Sequence, residues 1–310
     1  MTASIRIGDE VEAAAGDGRA VVALETSVIG QGLPHPRNVE CVERMSGAIR
    51  EAGAVPAWIG VVNGEVVVGL SETELASVAE PGRAAKVARR DLPAACAVGG
   101  LGATTVSATI WAATRAGVRV AATGGIGGVH HGDAGDVSAD LVELSRTAGM
   151  LVCSGPKSIV DPEATLERLE ELGVSLVGYG TDRLPGFLVR EVSIALEHRV
   201  DSREEAAAVL DASIRLETDS TVLLCNPVPS AFAMDADEVT AATVRAEERA
   251  AAAGVRGPAL TPFLLTALAE ETGGRSLEAN LALLESNAAL AAQVGGAFAS
   301  SAPGRSSRPA

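Results

Sequence analysis

The sequence predicts an α/β fold built from parallel strands and covering helices, and three features carry that reading. Short apolar runs alternate with segments of helical periodicity along most of the 310 residues. Hydrophobic residues make up 47% of the chain and aromatic residues only 2%, so the core must be filled by Ala, Val and Leu from buried strands and helices. Chemically versatile side chains recur just beyond the ends of apolar runs, which is where open α/β sheets hold their ligands. No internal repeat and no linker divides the chain. Residues 1–295 therefore read as one α/β catalytic domain, and 296–310, mostly Ala, Ser, Gly, Pro and Arg, as a disordered tail.

Residues 1–18 read as a short amphipathic lead. Arg19 to Leu24 is the first expected buried strand, and it delivers Glu25 to its end, ahead of the turn-rich GQGLPHPRN. Asn38 to Ala52 has helical spacing, with Val39, Val42, Met45 and Ile49 on one side. Within Ala57–Leu70 two apolar runs meet at Asn63-Gly64, the dipeptide favoured in a type I′ turn, which predicts an antiparallel hairpin. Ser71 to Glu74 has the capping-box pattern of a helix start. Lys86, Arg89, Arg90 and Asp91 then concentrate positive charge, suited to a phosphate or carboxylate, although the two arginines suit pairing with acidic helices equally well. A helix is expected from Thr104 to Ala116, with amides and hydroxyls at its start able to meet a base or phosphate.

Thr123 to Asp140 (TGGIGGVHHGDAGDVSAD) is the most unusual stretch. Gly124, Gly125, Gly127 and Gly128 are expected to permit positive φ and close approach of backbone amides to a ligand. His130, His131, Asp133, Asp136 and Asp140 follow, the composition of a metal or phosphate site. The run is not a dinucleotide fingerprint, because His130 stands where the third glycine is needed. Ser138 to Arg146 reads as a helix and Met150 to Cys153 as a strand opening into SGPKS, which places Lys157 past a strand end as Glu25 is. Further on, helices are expected at 163–172, 203–216, 236–253, 262–272 and 276–294, and strands at 175–178 and 221–225, the latter ending on Asn226.

Charge and cysteine content narrow the function. A formal charge of −15 opposes any extended grip on polymeric nucleic acid, while a few local cations can still hold one phosphate. No signal peptide and no long apolar run appears, so no membrane association and a cytoplasmic location are expected. Cys41, Cys96, Cys153 and Cys225 are widely spaced, as buried reduced thiols would be, and neither C-x-x-C nor H-E-x-x-H occurs. Of the 25 basic residues only Lys86 and Lys157 are lysines. In a chain that otherwise uses arginine, a lysine points to work a guanidinium cannot do: losing its proton and adding to a carbonyl carbon.

Taken together, ALETSVIGQGLPHPRN, KVARRDLP, GATTV, ATGGIGGVHHG, DVSADL, CSGPKSI, NPVP, TPFLL and SLEAN make the chain, over roughly Val21 to Val294, resemble the pseudouridine-5′-phosphate glycosidase family. The resemblance implies a single-domain α/β/α sandwich with a mixed, largely parallel sheet, assembled as a homotrimer. It implies cleavage of pseudouridine 5′-phosphate to uracil and ribose 5-phosphate with a divalent metal, usually manganese. By position, Glu25 matches the family's proton donor, Lys157 its amine nucleophile, Lys86 a substrate-binding lysine and Asp136 the metal ligand. Val106, Ser138, Ala139 and Asp140 fall on substrate-contacting positions, and His130 and Asn280 on other active-site positions. The departures are Thr26 and Ser27 where Ser then Thr is usual, Ala88 for Ser, His131 for Arg, and Pro156 for Ala. An aldolase-like lyase sharing the lysine imine and a non-catalytic sugar-phosphate sensor are the rival readings; the first leaves the uracil-contacting motifs without a role, and the second predicts binding without turnover.

Overall fold

The computed structural model describes residues 5–131 and 135–301. One mixed sheet of 11 strands runs through it. Its spatial order is β1 (Ile5–Ile7), β4 (Glu65–Val68), β3 (Val55–Val62), β2 (Val21–Glu25), β7 (Val120–Ala122), β9 (Gly149–Cys153), β13 (Thr221–Cys225), β11 (Leu176–Tyr179) and β12 (Arg199–Val200). From β3 to β12 every neighbouring pair is parallel. β6 (Leu101–Thr104) adds antiparallel to β3 and carries β5 (Ala85–Val87), while β8 (Val129–His130) and β10 (Val160–Asp161) form a separate antiparallel pair.

Period-2 alternation sends the strand side chains to opposite faces, and helices cover both. Val22, Leu24, Val120, Ala122, Met150 and Val152 pack with residues of α2 (Arg37–Glu51), α3 (Glu72–Ala79), α8 (Arg203–Arg215) and α11 (Arg275–Ser301). Ala23, Ala121, Leu151 and Leu223 pack on the other face with α1 (Asp9–Gly16), α5 (Val106–Arg115), α6 (Ala139–Leu144) and α7 (Pro162–Glu171). Leu92, the first residue of α4 (Leu92–Val98), belongs to that second core. α9 (Ala236–Ala252) and α10 (Leu260–Glu271) close on each other over Ile159 and Val160. The result is the expected three-layer α/β arrangement.

Registration places the site. Leu24 pairs with Ala122, Ala122 with Val152, and Val152 with Leu224, so the strands end level with one another. After β2 the chain crosses to β3 on one side, and after β7 to β9 on the other. The crevice between β2 and β7 is thus a topological switch point, where strand-end loops diverge and leave room for a ligand.

The hairpin forms as expected, with Asn63 at φ 51° and Gly64 at φ 84°. Ser71 and Glu74 complete the capping box. Other elements differ. The lead contains a three-residue strand parallel to β4 and a helix whose Val11 and Ala14 are core residues, too short a pattern for periodicity to reveal. β5 and β6 were hidden beneath the Lys86 charge cluster and a glycine-broken run; Thr104 ends β6, and the helix begins at Val106. α11 runs past Gly295 to Ser301, because Ala297 and Phe298 still pack on the core. Residues 302–310 lie outside the described residues.

None of Gly124, Gly125, Gly127 and Gly128 has a left-handed φ. Their smallness serves packing instead: a Cβ on Gly128 would meet Thr165 Oγ1 at 2.2 Å, and one on Gly127 would meet Ser138 Oγ at 2.4 Å. The positive φ in this region belongs to Gly155, at 81°, where a Cβ would lie 2.1 Å from the Pro185 carbonyl oxygen. Gly155→Ala should therefore cost about 3 kcal/mol or more, from left-handed strain plus a backbone clash. Gly173→Ala, at φ 69° with nothing near its Cβ, should cost only about 1 kcal/mol. Urea unfolding of both variants checks this; equal losses would contradict it.

Candidate functional site

At the C-terminal ends of β2, β7 and β9 lies a cavity of about 390 Å³. It brings together Glu25, Lys86, His130, Asp136, Lys157 and Asn280, along with Ser138, Ala139 and Asp140. Residues separated by up to two hundred and more positions in sequence meet here because their strands end in register.

Glu25 is the last residue of β2 and is 4% exposed. Both of its oxygens are engaged: the Thr123 hydroxyl donates to Oε1, and the Ser27 hydroxyl donates to Oε2 at 2.5 Å. Thr26 fixes the backbone beside it, donating to the Ile59 carbonyl at 2.6 Å and accepting from the Thr104 amide at 2.8 Å. The carboxylate is therefore aimed rather than free to rotate.

Lys157 sits in the loop after β9, which is pinned to the glycine-rich loop after β7. Ser154 N donates to the Gly124 carbonyl at 2.8 Å, and Lys157 N to the Ile126 carbonyl at 3.0 Å. Pro156 leaves this scheme intact, since the donating amides are those of its neighbours. From α11, fully buried Asn287 clamps the two loops: its Nδ2 donates to the Thr123 carbonyl at 2.8 Å and to Ser154 Oγ at 3.1 Å. Its Oδ1 accepts from Asn226 at 2.9 Å, so Asn226, just past the end of β13, is part of the clamp. Sequence reasoning missed Asn287, although it lies seven positions, two helical turns, after Asn280 and so on the same face of the helix.

Two kinds of predicted site residue emerge. Asp140 is committed to scaffolding, accepting from the Ser107 amide at 3.0 Å and the Gly127 amide at 3.3 Å, and Ser138 caps α6 by accepting from Asp140 N. Arg89 pairs with buried Glu143, which also accepts from Thr147. By contrast Lys86, His130, Asp136, Lys157 and Asn280 make no side-chain hydrogen bond or ion pair to another described residue, although all face the cavity. Polar groups left unpaired in a crevice are groups held for a ligand.

Val106 is placed differently from the others. Its side chain is 2% exposed and packs in the core, and Thr105 is the residue of that helix end that lines the cavity. His131 turns away to pair with Glu247 at 2.8 Å, which raises its pKa, whereas Ala88 does line the cavity. Asp133 lies outside the described residues. Among the described residues no group of three or more His, Cys, Asp or Glu side chains is arranged to hold a metal. The unpaired Asp136 carboxylate still fits a hard divalent cation that keeps most of its water.

All four cysteines are free; Cys41, Cys153 and Cys225 are buried, and Cys96 is partly exposed. No helix of the described residues is long and apolar enough to cross a membrane.

The fold and the cavity define a three-layer α/β enzyme with amine and carboxylate groups at its switch point. The chain belongs to the family described as Indigoidine synthase A like protein, which matches residues 10–297. It is 47% identical over 291 residues to a pseudouridine-5′-phosphate glycosidase of Symbiobacterium thermophilum, covering 92% of this chain and 94% of that protein. A protein of the same name from Herpetosiphon aurantiacus is 48% identical over 290 residues, covering 93% and 96%. Among solved structures, a prealnumycin C-glycosynthase in complex with ribulose 5-phosphate superposes with a TM-score of 0.88 at 38% identity, over 96% of this chain and 97% of that one. An indigoidine synthase A-like protein from Thermotoga maritima gives 0.88 at 39% identity over the same shares.

The two lysines face each other electrostatically. Partial desolvation lowers the Lys86 pKa and the Lys157 ammonium lowers it further, while Asp140 and Glu25 oppose the shift. Removing the like charge with Lys157→Met should raise the Lys86 pKa. Carbon NMR of the reductively methylated protein, which has only two lysines, reads this directly; an unchanged or lower Lys86 midpoint would contradict it.

Proposed function

We propose that the protein is a pseudouridine-5′-phosphate glycosidase, cleaving the C-glycosidic bond of pseudouridine 5′-phosphate reversibly to uracil and ribose 5-phosphate. The observation that carries the reading is an unpaired Lys157 sharing one cavity with an aimed Glu25. The relatives named for this activity and a C-glycosynthase neighbour holding a pentulose phosphate support it.

The chemistry follows from the bond. A carbon–carbon link between ribose and uracil offers no leaving nitrogen to protonate. Glu25 gives a proton to the ribose ring oxygen as the ring opens, and the Lys157 amine adds at C1′. As the C1′–C5 bond breaks, C5 of uracil gains a proton and the nitrogen of the added amine loses one, so uracil departs neutral and leaves a lysine imine, which water hydrolyses to ribose 5-phosphate and the free amine. A guanidinium could not take this part.

Lys86 is the cation for the phosphate or ribose: a phosphate dianion beside it favours the charged form that burial and Lys157 disfavour. Asn280 and His130 supply unpaired hydrogen-bonding groups to the ribose or uracil. Val106 acts through its backbone at the start of α5, and Ser138, Ala139 and Asp140 through the start of α6. Asp136 would hold a divalent cation, Mn2+ or another, whose charge orients substrate oxygens. A cytoplasmic homotrimer acting in pseudouridine catabolism belongs to the same reading.

Chromatographic detection of free uracil from pseudouridine 5′-phosphate tests the proposal. The wild type should release it, exhaustive chelation should stop release until manganese is restored, and Lys157→Arg should lower kcat by at least about a thousandfold. Absence of uracil, or unimpaired turnover in Lys157→Arg, would contradict the proposal.

A further inference from the structure

A buried acid that fires once per turnover must be recharged with a proton, and the cavity face of Glu25 is the one that bound sugar covers, which leaves its two hydroxyl partners as the other ways in. Glu25 is 4% exposed. Oε1 is covered by the Thr123 hydroxyl, and Thr123, though it borders the same cavity, is only 1% exposed. Oε2 meets Ser27 Oγ at 2.5 Å, and Ser27, half-buried, lines the cavity. Ser27 also precedes the π-turn Val28–Gly32 without using its hydroxyl to cap it, so that hydroxyl is committed to Glu25. A hydroxyl can donate and accept at once, which makes it a conduit as well as a clamp.

We propose that Ser27 is the positioning and relay residue through which cavity water reprotonates Glu25, while Thr123 only orients the carboxylate. The inference rests on the assignment of Glu25 as the proton donor. Once Glu25 has given its proton to the ribose ring oxygen, the carboxylate Oε2 takes the hydroxyl proton of Ser27. Ser27 Oγ in the same step takes a proton from a protonated cavity water. The net transfer is one proton from solvent to Glu25, with no bond made or broken at Ser27 beyond its O–H.

The test uses the full-length enzyme with pseudouridine 5′-phosphate. Ser27→Ala should lower kcat by at least about tenfold with KM within about twofold, because proton delivery and not substrate contact is lost. The solvent deuterium isotope effect on kcat should grow, and added imidazole should restore part of the rate by carrying protons to the opened space. Ser27→Thr, which keeps the hydroxyl, should recover kcat to within about fivefold of wild type. Circular dichroism and thermal melting confirm that each variant is folded. A Ser27→Ala enzyme with unchanged kcat, or with no isotope-effect change and no imidazole response, would overturn the relay provided that Glu25→Gln is inactive. Full activity of Glu25→Gln, or no uracil from the wild type, would remove the reading on which the relay rests and the relay with it.

Discussion

The level ending of β2, β7 and β9 is the constraint on which the rest of the structure depends. Parallel pairing in one register puts Glu25, Thr123 and Cys153 level with one another at the C-terminal end of the sheet, with Ser154 the next residue on. Strand pairing fixes only the strands, and the loops beyond them need their own restraint. Asn287 supplies it from α11, satisfying carbonyl and hydroxyl groups of both loops inside the protein, where an unpaired polar group would cost about 1–3 kcal/mol. The acid's partner and the lysine-bearing loop are therefore held by one buried side chain.

A second layer of tied groups surrounds the free ones. Asp140, Glu143, Arg89 and Ser107 link α6, the Lys86 segment and the start of α5 through hydrogen bonds at 2.5 to 3.3 Å. Within that frame the unpaired groups are two amines, one carboxylate, an imidazole and an amide. Such a division between groups spent on geometry and groups kept for a ligand is what preorganisation requires.

Much of this was legible in the sequence. Long helices and buried strands carry strong periodicity, and Glu25 and Lys157 could be placed past strand ends because the apolar runs before them are unbroken. The scarcity of lysine singled out both amines. What was not legible follows from physics that acts across the chain. β5 and β6 are three and four residues long and are strands only because β3 offers an edge. The four clustered glycines look like flexible hinges in sequence, yet they are small because Thr165, Ser138 and Phe187 press against them. Asn287 reads as one more polar residue after Glu285 and Ser286 until its partners from three other segments are known. The lowered Lys86 pKa likewise depends on burial in the folded cavity and on the Lys157 ammonium brought near it.

The lowered Lys86 pKa bears on the central claim, since a desolvated amine beside a like charge also suits a nucleophile, whereas the loop geometry and the phosphate argument assign that part to Lys157. With only two lysines in the chain the choice is binary. The most direct measurement is borohydride trapping during turnover of pseudouridine 5′-phosphate, followed by peptide mass mapping. The account predicts a reduced ribose-phosphate adduct on Lys157 and none on Lys86; an adduct on Lys86, or no covalent adduct from an actively turning-over enzyme, would contradict it.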